Sequence, residues 1–97
     1  MTAYVIASVT VTNPEQYKGY QALTPAAIAA HGGKFVVRGG AMEVLEGQWP
    51  HSRVVVLEFP TVEAAKTFYN SVQYGEARQA RAGAADFNMI VIEGVAP

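Results

Sequence analysis

The run RVVVLEFPT, residues 53–61, decides how this chain folds. In an extended backbone Val54 and Val56 point to one side while Val55, Leu57 and Phe59 point to the other, so the strand is apolar on both faces. Such a strand belongs inside a sheet with neighbours on both edges. Pro60 ends it, and Thr61 opens a helix as its N-cap, with Glu63 in the first turn near the positive end of the helix dipole. Ala65, Phe68, Tyr69 and Val72 form the apolar stripe of that helix. Asn70 and Ser71 interrupt it, and Ser71 caps a third, short helix holding Tyr74, Ala77, Arg78 and Arg81.

Upstream, Ala3–Val11 alternates, with Val5, Ala7, Val9 and Val11 on one face and Tyr4, Ile6, Ser8 and Thr10 on the other, which predicts a first strand. The following Asn13-Pro14-Glu15-Gln16 supplies an N-cap, a proline at the first helical position, an acid in the first turn and a glutamine placed for a capping box. The helix so begun carries Tyr17, Tyr20, Leu23, Ala27, Ile28 and Ala30, and Pro25, which lacks an N–H and clashes one turn back, predicts a kink or break near Thr24. Gly32-Gly33 ends it, glycine being free to take the left-handed conformation. Residues 34–38 and 42–46 both alternate like strand, and Gly39-Gly40 between them reads as a bend in one continuous strand. Residues 47–51 read as a loop, with His51 an exposed loop residue and Trp49 a contact across a dimer, and residues 87–93 as a last strand.

The order is strand, helix, strand, strand, helix pair, strand. Right-handed crossovers then put every helix on one face of a four-stranded antiparallel sheet, a ferredoxin-like βαββαβ unit of the α+β class. The third and fourth strands carry Val54, Val56, Met89 and Val91 opposite Val55, Leu57, Ile90 and Ile92, so one apolar set is left without helices to cover it. Several such side chains at about 1.5 to 3 kcal/mol each rival the whole stability of a small domain, roughly 5 to 15 kcal/mol. A homodimer through the bare sheet face is the expected remedy.

With 97 residues the chain is expected to form a single domain, residues 1–97. It has no cysteine, hence no disulfide framework and no thiolate nucleophile, which fits a cytoplasmic address. A formal charge of −1, with seven Lys and Arg spread along the chain, gives no basic field for nucleic acid, and no stretch approaches the ~20 apolar residues of a membrane span. Two distant histidines and scattered glutamates lack ligand spacing, so no metal site is expected. P-loop, GxGxxG, nucleophile-elbow and HExxH patterns are absent, and no cofactor is expected.

The ordered set Tyr4-Val5-Ile6-Ala7, Gly32 through Gly40, Val44-Leu45-Glu46-Gly47, Glu58-Phe59-Pro60-Thr61, Phe68-Tyr69-Asn70-Ser71, Tyr74, Arg81 and Glu93-Gly94 resembles the bacterial family known as domain of unknown function 1330. That family lies within the dimeric α+β barrel superfamily. The resemblance implies a ferredoxin-like protomer whose sheet faces that of a second copy. It implies no particular reaction. Members of the wider superfamily include cofactor-free monooxygenases and haem-degrading enzymes; the Asn, Trp and His of the latter do not coincide in position with Asn70, Trp49 and His31, whose roles are not carried over.

The residues themselves nominate ligand contacts. Arg38 stands just before Gly39-Gly40, where a ligand can approach closely; its structural alternative is a salt bridge to Glu43 or Glu58. Tyr69, Asn70, Tyr74 and Arg81 gather hydroxyl, amide and guanidinium groups near one helix junction, although Ser71 also reads as a cap and Tyr69 as core. His31 is a weaker candidate for a catalytic base, since a helix C-terminus accounts for an imidazole there. Two readings follow. In one, a small anionic or aromatic molecule binds between helices and sheet, held by Arg38 and Arg81, with a cofactor-free reaction as one outcome. In the other, the chain is a non-catalytic structural or regulatory dimerisation module, and both arginines end in ion pairs with glutamates.

Overall fold

A computed structural model of the chain describes residues 1–96. Its elements are β1 (Ala3–Val11), α1 (Pro14–Ala30), β2 (Lys34–Arg38), β3 (Arg53–Phe59), α2 (Val62–Tyr69), α3 (Val72–Ala80) and β4 (Ala85–Glu93). The sheet order is β2-β3-β1-β4, every neighbour antiparallel. This is the ferredoxin-like arrangement: α1 carries the chain past β3 to β2, and α2 with α3 carries it past β1 to β4.

Local chemistry accounts for the boundaries. Asn13 accepts from the Gln16 N–H at 3.2 Å, Thr61 from the Ala64 N–H at 3.0 Å and Ser71 from the Tyr74 N–H at 3.2 Å, so each helix opens on its own cap. At the end of α1 the Gly33 N–H reaches the Ile28 carbonyl at 3.0 Å and the Gly32 N–H the Ala29 carbonyl at 3.2 Å, with Gly32 at φ 77°. That pair of bonds is a Schellman closure, and glycine is needed at its left-handed position.

The break expected near Thr24 is absent, and α1 is helical throughout. Pro25 has no N–H for the Gln21 carbonyl, and the Thr24 hydroxyl donates to that carbonyl instead, at 3.4 Å. The single bent strand expected over residues 34–46 is also not found. β2 stops at Arg38, Gly39 turns at φ 65°, and residues 42–46 pair with no strand among the described residues. β4 starts at Ala85, two residues before the expected Phe87.

Register sorts the faces. Val5 lies between Leu57 and Val91, and Ala7 between Val55 and Met89; these side chains meet the helices. Ile6 lies between Val56 and Ile90, Tyr4 between Glu58 and Ile92, and Ser8 between Val54 and Asn88, on the open face. The sequence grouping of β3 with β4 is thereby corrected: Met89 and Val91 share a face with Val55 and Leu57, and Ile90 and Ile92 with Val54 and Val56. The core joins Val5, Ala7, Val9, Leu57 and Phe59 to Tyr17, Tyr20, Ala27, Ile28, Ala65, Phe68, Tyr74 and Ala77. The molecule is a slab of 36 × 36 × 16 Å, two layers thick, with Ile90 and Ile92 half exposed on its bare side.

His51 is not the exposed loop residue expected. Its imidazole lies on the open face, Nδ1 3.1 Å from Thr10 Oγ1 and Nε2 3.2 Å from Asn88 Nδ2.

Candidate functional site

Tyr17, Tyr20, Gln21 and Thr24 recur at three- and four-residue steps, so one stripe of α1 aims them all at the sheet. Beneath them is a cavity of about 30 Å³, closed on the sheet side by Arg38, Arg53, Val55 and Leu57 and at its inner end by Phe68 and Tyr74. By that measure it has room for about two water molecules. Arg53 points inward because it pairs with the fully buried Val9. Its guanidinium lies against Gly39: a Cβ at that position would collide with Nη1 and stand 2.6 Å from Cζ.

Arg53 is half-buried and its Nε, shielded from solvent, has no hydrogen-bond partner; the same holds for Arg81 Nε. The ion pairs among the described residues are Lys18 with Glu15 and Lys34 with Glu58, both at 3.1 Å. No carboxylate of the described residues therefore neutralises Arg38, Arg53 or Arg81. Glu58, the partner suggested for Arg38, is engaged by Lys34.

Burial pushes the Tyr17 hydroxyl above its ordinary pKa, while Arg53 and Arg81 pull it back. Burial and then the adjacent Tyr74 push the Tyr20 hydroxyl far higher. The Tyr20 and Tyr74 hydroxyls lie 2.7 Å apart in the core. At neutral pH the Tyr17 and Tyr20 phenols stay protonated and can donate. The cavity thus presents guanidinium and phenol donors, and its lining contains no carboxylate or imidazole. Such a set suits an oxyanion better than it suits abstraction of a proton.

The residues nominated from sequence fall into two places. Arg38 and Tyr74 line the cavity, Arg38 at its exposed rim with Cζ 4.3 Å from the Phe35 ring centroid. Tyr69, Asn70 and Arg81 line a separate open groove of about 640 Å³ between α2 and β4. Val5, Phe68, Phe87 and Met89 form the wall common to both. Arg81 caps the C-terminus of α3 and lies on that wall, Cζ 3.8 Å from the Phe87 centroid and 5.2 Å from that of Tyr20. Tyr69 carries Arg78 on its ring at 4.6 Å, and Asn70 Nδ2 donates to the Lys66 carbonyl at 3.0 Å, closing α2. His31 is the C-cap of α1 and lines neither hollow; its ring stands edge-on to Phe68 at 6.4 Å.

Sequence reasoning missed Arg53. The signal was its parity: position 53 shares a face with 55, 57 and 59, the set that meets the helices. Tyr17 and Tyr20 were read as core stripe, which they are, without notice of their hydroxyls.

Over residues 2–95 the sequence matches the family model described as domain of unknown function DUF1330. The chain belongs to that family. No curated protein matches it. Among solved structures, the DUF1330 chain is similar to a protein of unknown function from Rhodopseudomonas palustris, at 23% identity and a TM-score of 0.77 over 99% of this chain and 84% of that one. It is also similar to a dimeric ferredoxin-like protein of unknown function from Jannaschia sp. CCS1, at 8% identity and a TM-score of 0.71 over 97% and 100% of the two chains. A cofactor-independent oxygenase from Streptomyces nogalater matches at 14% identity and a TM-score of 0.64 over 99% and 95%. At these identities the likeness shows the shared fold.

Proposed function

We propose that this DUF1330 protein binds a small anionic, aromatic molecule in the cavity between α1 and the sheet, and does so as a homodimer joined through the open sheet face. The observation that carries the ligand reading is Arg53: a half-buried cation with a solvent-shielded, unpartnered Nε and no carboxylate beside it. A guanidinium N–H shielded from water without an acceptor is costly, and a bound oxyanion removes that cost. Arg53 and Arg38 grip the anion, the Tyr17 hydroxyl donates to it, and the apolar walls of Val55, Leu57 and Phe68 receive the ring. Entry runs past Arg38, which is exposed at the rim and leaves Phe35 to admit the ligand. Arg81, held against Phe87 and Tyr20, adds positive potential at Tyr17, while Tyr69 and Asn70 stand beyond the shared wall and act on the groove side.

The Streptomyces nogalater relative is described as a cofactor-independent oxygenase, which supports small-molecule chemistry on this fold. Relatives described as dimeric support the pairing, as does the bare face carrying Ile6, Val56, Ile90 and Ile92.

Thermal-shift titration with benzoate, salicylate and 4-hydroxybenzoate tests the ligand. A saturating rise in Tm that vanishes in Arg53→Met is expected. If no member of the series raises Tm, the site reading fails and the alternative of a ligand-free dimerisation module stands. Sedimentation at micromolar concentration checks the dimer, and a stable monomer refutes it.

A further inference from the structure

Residues 42–46 alternate like a strand and pair with none of the described strands, while Met42 and Val44 are half exposed and Leu45 is 95% exposed. Nothing in the protomer explains so much apolar surface on a short segment. The segment rises on the open-face side. Val37 and Val54, which belong to the sheet, share a hollow of about 540 Å³ with Met42, Val44, Leu45 and Trp49. The loop is therefore continuous with the bare face, and a copy stacked on that face meets it.

At the opposite edge of the sheet, the outer side of β4 pairs with no strand among the described residues. The groove there is apolar at Phe87, Met89, Ile90 and Val91, and its charged residues are Lys66 and Arg81, with no acid. Residues 41–49 carry Glu43 and Glu46 and no Lys or Arg. The two surfaces thus match in hydrophobicity, in charge and in unpaired backbone. A two-fold axis parallel to the strands between two stacked sheets brings the β2 side of one above the β4 side of the other. We propose that residues 42–46 of each protomer lie along the β4 edge of a second copy and wall the α2–β4 groove, making each groove a pocket shared by two chains.

The inference rests on the dimer reading, and its test separates the two. The chain has no native cysteine. Leu45→Cys is combined with Ile90→Cys or, in a second variant, with Asp86→Cys, each residue being exposed in the protomer. Oxidation is followed by non-reducing electrophoresis, with Leu45→Cys/Val72→Cys as the control, since Val72 is exposed on α3 away from β4. A covalent dimer from at least one β4 variant and none from the control supports the inference. A protein that sediments as a dimer yet cross-links in neither β4 variant, or closes the disulfide within one chain, overturns it and leaves the dimer intact. A monomer overturns both.

Charge supplies an independent readout. Glu46→Lys and Glu43→Lys each weaken the dimer by about fivefold, as an ion pair of this exposure allows, and Lys66→Glu restores at least one of them. Unchanged dissociation constants in both single variants count against the placement.

Discussion

The hydroxyls of Tyr20 and Tyr74 offer the sharpest test of the reasoning about the site. They lie 2.7 Å apart, and Tyr20 and Tyr74 are 8% and 1% exposed. Tyr20→Phe keeps the ring, with its edge-on packing against Tyr74 and Phe87 at 6.1 and 5.6 Å, and removes only the oxygen. The hydroxyl of the buried Tyr74 is then left without a partner, which costs about 1–3 kcal/mol. Tyr74→Phe strands the hydroxyl of Tyr20 instead, the less buried of the two residues, and costs less than Tyr20→Phe. The double variant strands nothing. It is expected to lose no more than either single variant, so the coupling energy is about as large as one single cost. For a chain of this length each kcal/mol corresponds to roughly 4–8 °C in Tm. Urea denaturation at one fixed protein concentration measures all three variants, the fixed concentration holding the contribution of association constant. Additive losses in the double variant refute the view that the two oxygens satisfy each other.

Replacing Arg53 by Met removes an unneutralised, half-buried cation while keeping most of the stem. We expect the ligand-free protein to gain about 1 kcal/mol while the benzoate-induced shift disappears; a loss of stability with the shift retained refutes a binding role. Gly33→Ala places a Cβ 2.5 Å from Phe59 Cε1 and 2.9 Å from Ile28 Cγ2, so denaturation should show a loss of about 1–3 kcal/mol, and a neutral result contradicts that packing. The raised hydroxyls of Tyr17 and Tyr20 make the folded state hold protons that the unfolded state releases above pH 10, their ordinary value. Stability is therefore unaffected by these groups at neutral pH and falls as pH rises past about 10; Tyr20→Phe flattens that fall, and an equal slope in both proteins refutes it.

Features governed by neighbouring residues were legible in the sequence. The caps at Asn13, Thr61 and Ser71 and the glycine stop at Gly32 depend on chemistry within a turn, and each is found where the residue types place it. Alternation gave β1, β3 and β4 their two faces, but it could not join the faces of β3 to those of β4. That needs the register through β1, a long-range pairing. The same limit hid the site. Arg53, Tyr17 and Arg38 lie far apart in sequence, and an arginine at the start of a strand looks like a solvent boundary until Val9 is set opposite it. Pro25 misled for the converse reason, since the residue before it supplies the bond it lacks. Residues 42–46 have the alternation of a strand, yet they pair with none of the described strands.

The Thr24 hydroxyl stands in for a rung of the α1 ladder at the point where Gln21, Thr24 and Ile28 roof the cavity. The ladder lacks a single backbone rung here, and its replacement comes from a side chain, so this is the point of α1 held by the fewest backbone bonds. A guest larger than the resting cavity must displace part of its roof or rim, and at Thr24 that displacement meets a rotatable hydroxyl before it meets the backbone.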